Sequence, residues 1–159
     1  MMKRLIAAVI ALVLIFSLTA CQSAVPKKDP AEVVASVEKE FMEANADKLP
    51  ALMDLDGETL EAMYGIKPDW VNAYVCKFPM MNVHATEIFI ASVKDGCMED
   101  VKKAIEARKE ALDATWSMYL PAQYELVQKS ETLEKDGFIL FAVTEQMDSI
   151  KAIFEKATK

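Results

Sequence analysis

Residues 87–110 read EIFIASVKDGCMEDVKKAIEARKE. Within the first seven, Phe89, Ala91 and Val93 alternate with Ile88 and Ile90, so both faces carry apolar residues. That pattern predicts a strand, best drawn from Val83 to Val93, and Asp95-Gly96 stops it. From about Met98 to Met118 the period changes to that of a helix. Val101, Ala104, Ile105, Leu112 and Tyr119 mark one face, and Glu99 and Asp100 sit in the first turn, where the helix dipole favours acids. Residues 137–159, GFILFAVTEQMDSIKAIFEKATK, repeat the order strand, turn, helix with a shorter turn. Met147, Ile150, Phe154 and Ala157 share one face of the expected helix from Glu145 to Ala157. A further strand candidate precedes each segment: residues 70–78 (WVNAYVCKF) before the first, and the run entering Asp136-Gly137, a hairpin signal, before the second. Two ββα units predict an α+β fold with a four-stranded antiparallel sheet and helices packed on one face.

Upstream, Asp29-Pro30-Ala31-Glu32 is a helix start: an N-cap acid, proline at the first helical position and Glu at the third. Val34, Val37, Phe41 and Ala44 continue it toward Asp47. A less regular stretch follows, then a short helix from Glu58 to Tyr64 closed by Gly65. Pro121 breaks the long helix, and a second helix is expected to run on to about Lys129.

The N-terminus has another character. Lys3 and Arg4 precede an unbroken apolar run from Leu5 to Phe16, shorter than the roughly 20 residues a spanning helix needs. This is the pattern of a secretory signal. Leu18-Thr19-Ala20 precede Cys21 and resemble the lipobox of bacterial lipoproteins. The resemblance implies cleavage before Cys21, a diacylglyceryl thioether on its sulfur, and a mature chain held by membrane lipid. Two acyl chains anchor stably where one is marginal, at about 0.8 kcal/mol per buried CH₂. Expected, then, are a cleaved signal peptide over 1–20, a lipidated Cys21 and short tether over 21–29, and one α+β domain over 30–159.

Discarding Lys3 and Arg4 leaves 16 basic residues against 25 acidic ones. That balance disfavours nucleic acid and leaves membrane attachment to the lipid alone. Cys76 falls in an expected strand and Cys97 beyond the far end of the next, further apart than the roughly 7 Å a disulfide spans. Two free thiols are expected.

With these features the chain resembles domain-of-unknown-function family 4358, small bacterial lipoproteins. The residues that carry the likeness are the lipobox, ATEIFIASVKDGCMEDVKKAIEARKEAL with Arg108, Tyr119-Leu120-Pro121, and DGFILFAVTEQMDSIKAIF. The resemblance implies a lipid-anchored extracytoplasmic protein. It supplies no catalytic residue and no cofactor.

Among candidate sites, Arg108 falls on the apolar stripe between Ile105 and Leu112. A charge there must reach past the core, meet an internal carboxylate, or face an anionic ligand, which its planar fork suits. Tyr119 and Tyr124 flank Pro121 and would line the same region. His84 is the sole histidine. With Cys76 or Cys97 it offers the alternative of a thiol-dependent enzyme, but no metal-ligand spacing accompanies it. Asp54 to Glu58 lacks the ladder of a calcium loop. Met53, Met63, Met80 and Met81 form either an adaptable surface or ordinary core filling. The function expected is a non-enzymatic module binding an envelope protein or a small anionic ligand.

Overall fold

The computed structural model describes residues 28–159. Leu18, Thr19, Ala20 and Cys21, and the tether as far as residue 27, lie outside the described residues. Helix α1 (Pro30–Ala44) starts as expected, with the Asp29 side chain accepting from the Ala31 N–H. Strand β1 (Leu52–Asp54) and helix α2 (Gly57–Tyr64) follow, and α2 ends on Gly65 in the left-handed region, φ 70°. A 3₁₀ turn, Pro68–Trp70, leads into β2 (Val71–Pro79) and β3 (Glu87–Val93). Then come α3 (Met98–Trp116), α4 (Pro121–Gln128), β4 (Glu131–Lys135), β5 (Phe138–Val143) and α5 (Met147–Ala157). The turn at Asp136-Gly137 takes positive φ at both residues, 51° and 82°, the geometry a two-residue hairpin requires.

The fold is α+β, with an antiparallel sheet in the order β1-β2-β3-β5-β4. Both ββα units are present, and β3 pairs with β5 at the centre, Phe89 opposite Phe141. Two details differ from the expectation. The sheet has five strands, because Leu52–Asp54 adds an edge along β2; three residues are too few to show an alternating pattern.

The helices also cover both faces rather than one. Phe89, Ala91, Ile139 and Phe141 pack against α2, α3 and α4 through Leu60, Ile105 and Leu126. Ile88, Ile90, Leu140 and Ala142 pack against α1 and α5 through Val37, Phe41, Ile150 and Phe154. The reason is in the central strands. Every residue of β3 is buried, so it has two apolar faces and each needs a cover. The helix of the first ββα unit takes one face and that of the second takes the other.

Helices α1 and α5 run antiparallel. Asn45, just past α1, donates from Nδ2 to Phe41 O at 2.9 Å and to Ser149 Oγ at 3.1 Å in the first turn of α5. At the opposite end Lys28 Nζ donates to Ala157 O at 3.2 Å. Among the described residues no helix is long and apolar enough to cross a membrane.

Candidate functional site

Arg108 lies on the buried face of α3 with Val101, Ile105 and Leu112, and its partner is Glu87, the first residue of β3. Arg108 Nε donates to Glu87 Oε2 at 3.0 Å and Nη2 donates to Oε1. The Tyr64 hydroxyl donates to the same Oε2 at 2.5 Å. The guanidinium lies 5.1 Å from the centroid of the Tyr64 ring and 5.7 Å from that of Phe78. The Glu87 side chain is 2% exposed and that of Arg108 13%. A carboxylate this deep holds its charge only with donors on it, and two residues supply them. Burial opposes the Arg108 charge, but the hydrogen bonds and charge of Glu87 outweigh it and raise its pKa. Burial, and then the Glu87 charge, push the Tyr64 phenol well above its ordinary value.

Of the roles open to Arg108, the internal partner is the one found. Tyr119 and Tyr124 make their contacts elsewhere: Tyr119 stacks on Trp116 at 5.7 Å, and the Tyr124 hydroxyl donates to Asp113 at 2.9 Å. Among the described residues, no hydrogen bond, ion pair or ring contact joins the three expected ligand residues. A signal for Glu87 did exist. It shares the inward face of β3 with Phe89, Ala91 and Val93, and a carboxylate in that row calls for a cation.

The thiols do not form a pair with His84. Cys76 and Cys97 are both free. Burial, the largest effect, pushes the Cys76 thiol up to about 12, so it stays protonated where a nucleophile would need to be a thiolate. Cys97 lies beyond the C-terminal end of β3 and His84 before its start, and a seven-residue strand puts about 20 Å between them. Among the described residues no group of three His, Cys, Asp or Glu is placed to hold a metal ion.

His84 does line a cleft of about 330 Å³ at the end of the sheet. Its walls come from four places: the segment after α1 (Asp47, Lys48), the approach to β3 (His84, Thr86), helix α4 (Gln123), and the entry to α5 (Thr144, Glu145, Gln146). Gln123 fixes the approach to β3, its Oε1 accepting from the Ala85 N–H at 2.8 Å. Glu87 pairs with Val143, so Thr86 and Thr144 are the next residues outward along the two central strands. Thr144 Oγ1 accepts from the Gln146 N–H at 3.1 Å. Thr86 is only 6% exposed, yet its hydroxyl has no hydrogen-bond partner among the described residues. The one fully enclosed unpaired side-chain atom among them is Thr132 Oγ1, so the Thr86 hydroxyl is not fully enclosed. Apart from His84, none of these residues stood out in the sequence; a threonine at a strand entry carries no pattern of its own.

The cleft lies far from Lys28. Helix α1 has 15 residues, about 22 Å at 1.5 Å per residue, with Lys28 before its start and Asp47 just past its end.

An antiparallel sheet covered on both faces, with a polar cleft at its end, defines a small α+β protein. The chain belongs to the family described as Domain of unknown function (DUF4358), whose family model matches residues 44–144. That span takes in the whole sheet and most of the cleft. No curated protein and no solved structure matches the chain.

Proposed function

We propose that this is a lipid-anchored extracytoplasmic protein, attached through Cys21 to the outer face of the cytoplasmic membrane, whose sheet-end cleft binds a ligand. The observation that carries the anchor is the order basic start, short apolar run and Leu18-Thr19-Ala20-Cys21. The cleft fits this arrangement. The tether enters at Lys28, the cleft lies at the other end of α1, and a domain held at the first presents the second away from the membrane.

A binding role rather than catalysis is supported by the protonated, enclosed Cys76 and by the distance between His84 and Cys97. The Glu87–Arg108–Tyr64 cluster is an internal, buried group of the scaffold, with Glu87 adjacent in sequence to Thr86 of the cleft.

Expression of the full chain with an alkyne-bearing fatty acid tests the anchor. The native protein should take up label and sediment with membranes, and Cys21→Ala should lose the label. An unlabelled native chain would remove the anchored reading.

A further inference from the structure

We propose that the cleft end of the sheet is a docking surface for a second protein, one that presents an apolar segment flanked by Lys or Arg. The surface goes beyond the ligand cleft it surrounds, and it rests neither on ligand binding nor on the lipid anchor. Three observations carry it.

The first is where the exposed apolar side chains stand. Among the described residues six large ones are exposed: Met53, Met80, Met81, Met118, Tyr119 and Leu120. Scattered singly they would need no explanation, but grouped at one end they mark an interaction site. Met80 and Met81 follow Pro79, the last residue of β2, and the Met80 N–H donates to Ala51 O at 3.0 Å. Met53 pairs with Phe78 on the same stretch of β2. The other three sit between α3 and α4. Helix α3 passes the first residue of β3 at Arg108 and runs on to Trp116, so its end overhangs the sheet on the same side. The approach to β3 joins the two groups. The His84 N–H donates to Met81 O at 3.2 Å, Gln123 Oε1 accepts from the Ala85 N–H at 2.8 Å, and the Gln123 N–H donates to Leu120 O at 2.8 Å.

The second is the turn that carries half of them. Leu120 holds φ 45°, a conformation that costs a non-glycine residue free energy. The result is an exposed run from 117 to 122, braced where the Tyr119 ring stacks on buried Trp116. Folding alone gains nothing by holding apolar side chains out on a strained turn. Methionine, with a flexible and polarizable thioether, suits a surface that adapts to a partner.

The third is charge, which sets the kind of partner. Residues 110–128 contain Glu110, Asp113 and Glu125 and no Lys or Arg. None of these three acids has an ion-pair partner among the described residues. In the cleft wall Asp47 and Glu145 stand against Lys48 alone. An apolar surface with an acidic rim complements a segment that carries Lys or Arg beside an apolar strip, as an amphipathic helix does. The same rim repels an anionic bilayer and a second copy of this acidic chain.

The test is site-specific photo-cross-linking of the full chain in freshly broken, unfractionated native cells, with benzoylphenylalanine placed at Met81 or Met118. Lys103, exposed near the start of α3, serves as the control position. Mass spectrometry then maps what is joined. Expected is one segment of another protein, apolar with Lys or Arg beside it, reached from both Met81 and Met118 and not from Lys103. The yield should fall as salt is raised from about 0.01 M to about 1 M, which shortens the screening length from about 30 Å to about 3 Å. Glu110→Lys with Glu125→Lys, both at exposed positions, should cut the yield at Met118 about fivefold, as the loss of two rim charge contacts implies. Cross-links to phospholipid would assign the surface to the membrane, and cross-links to this chain's own peptides would assign it to self-association; either overturns the proposal. So do scattered cross-links with no shared segment, or a yield no higher than at Lys103. A shared segment without Lys or Arg, joined equally at all salt concentrations, overturns the charge assignment.

Discussion

Arg108 and Glu87 hold each other's charge inside the protein, and the energetic consequence is asymmetric. Removing one partner leaves an unpaired buried charge, which costs about 3–5 kcal/mol, whereas replacing both with apolar side chains of like volume is close to neutral. Arg108→Met should therefore lower the unfolding free energy by about that amount, and adding Glu87→Leu should recover most of it, read by denaturant unfolding. Recovery distinguishes a structural pair from a ligand-facing arginine. Beside them, Cys76 has a pH signature. Burial raises its folded value from the ordinary 9.0 to about 12, so between those values the unfolded chain has lost a proton that the folded chain keeps. Stability is level with respect to this thiol below pH 9 and falls as pH rises from 9 toward 12. Cys76→Ala should flatten that slope in alkaline unfolding curves. At this scale the sequence was half legible. Arg108 stood out because its helical stripe is regular, but its partner lies 21 positions away on a strand and only the register brings them together.

Among the elements, β3 organises the rest. Its reading came directly from the alternation of Phe89, Ala91 and Val93 against Ile88 and Ile90, but one line of sequence does not show which helix covers which face. The notion of one covered face treated the sheet as exposed on the other, and a strand buried along its whole length excludes that. Phe89 is fully buried at the centre, and Phe89→Ala should cost about 3–5 kcal/mol in chemical unfolding. The turn between α3 and α4 behaves in the opposite way. Leu120 has φ 45°, a left-handed conformation for a non-glycine residue, and such positions cost about 1–3 kcal/mol. Leu120→Gly should therefore raise stability by about 1 kcal/mol in the same unfolding measurement. Met118 beside it is 94% exposed. The strain thus supports a protruding loop rather than a packed one.

Over the whole molecule, two ends matter. At one, Lys28 meets the last turn of α5; at the other, the chain after α1 and the entry to α5 form a cleft. The fold class, the hairpin at Asp136-Gly137 and the helix start at Asp29 were legible because each is a local pattern. The cleft was not, because its walls come from residues 47–50, 84–86, 123–126 and 144–146, brought together only by the sheet order. The functional account stands on the link between these ends and Cys21. The mass of the N-terminal peptide of the protein recovered from membranes tests that link most directly. The account predicts a peptide that begins at Cys21 and carries the added mass of a diacylglyceryl group. A peptide that begins elsewhere, or an unmodified cysteine, would contradict it.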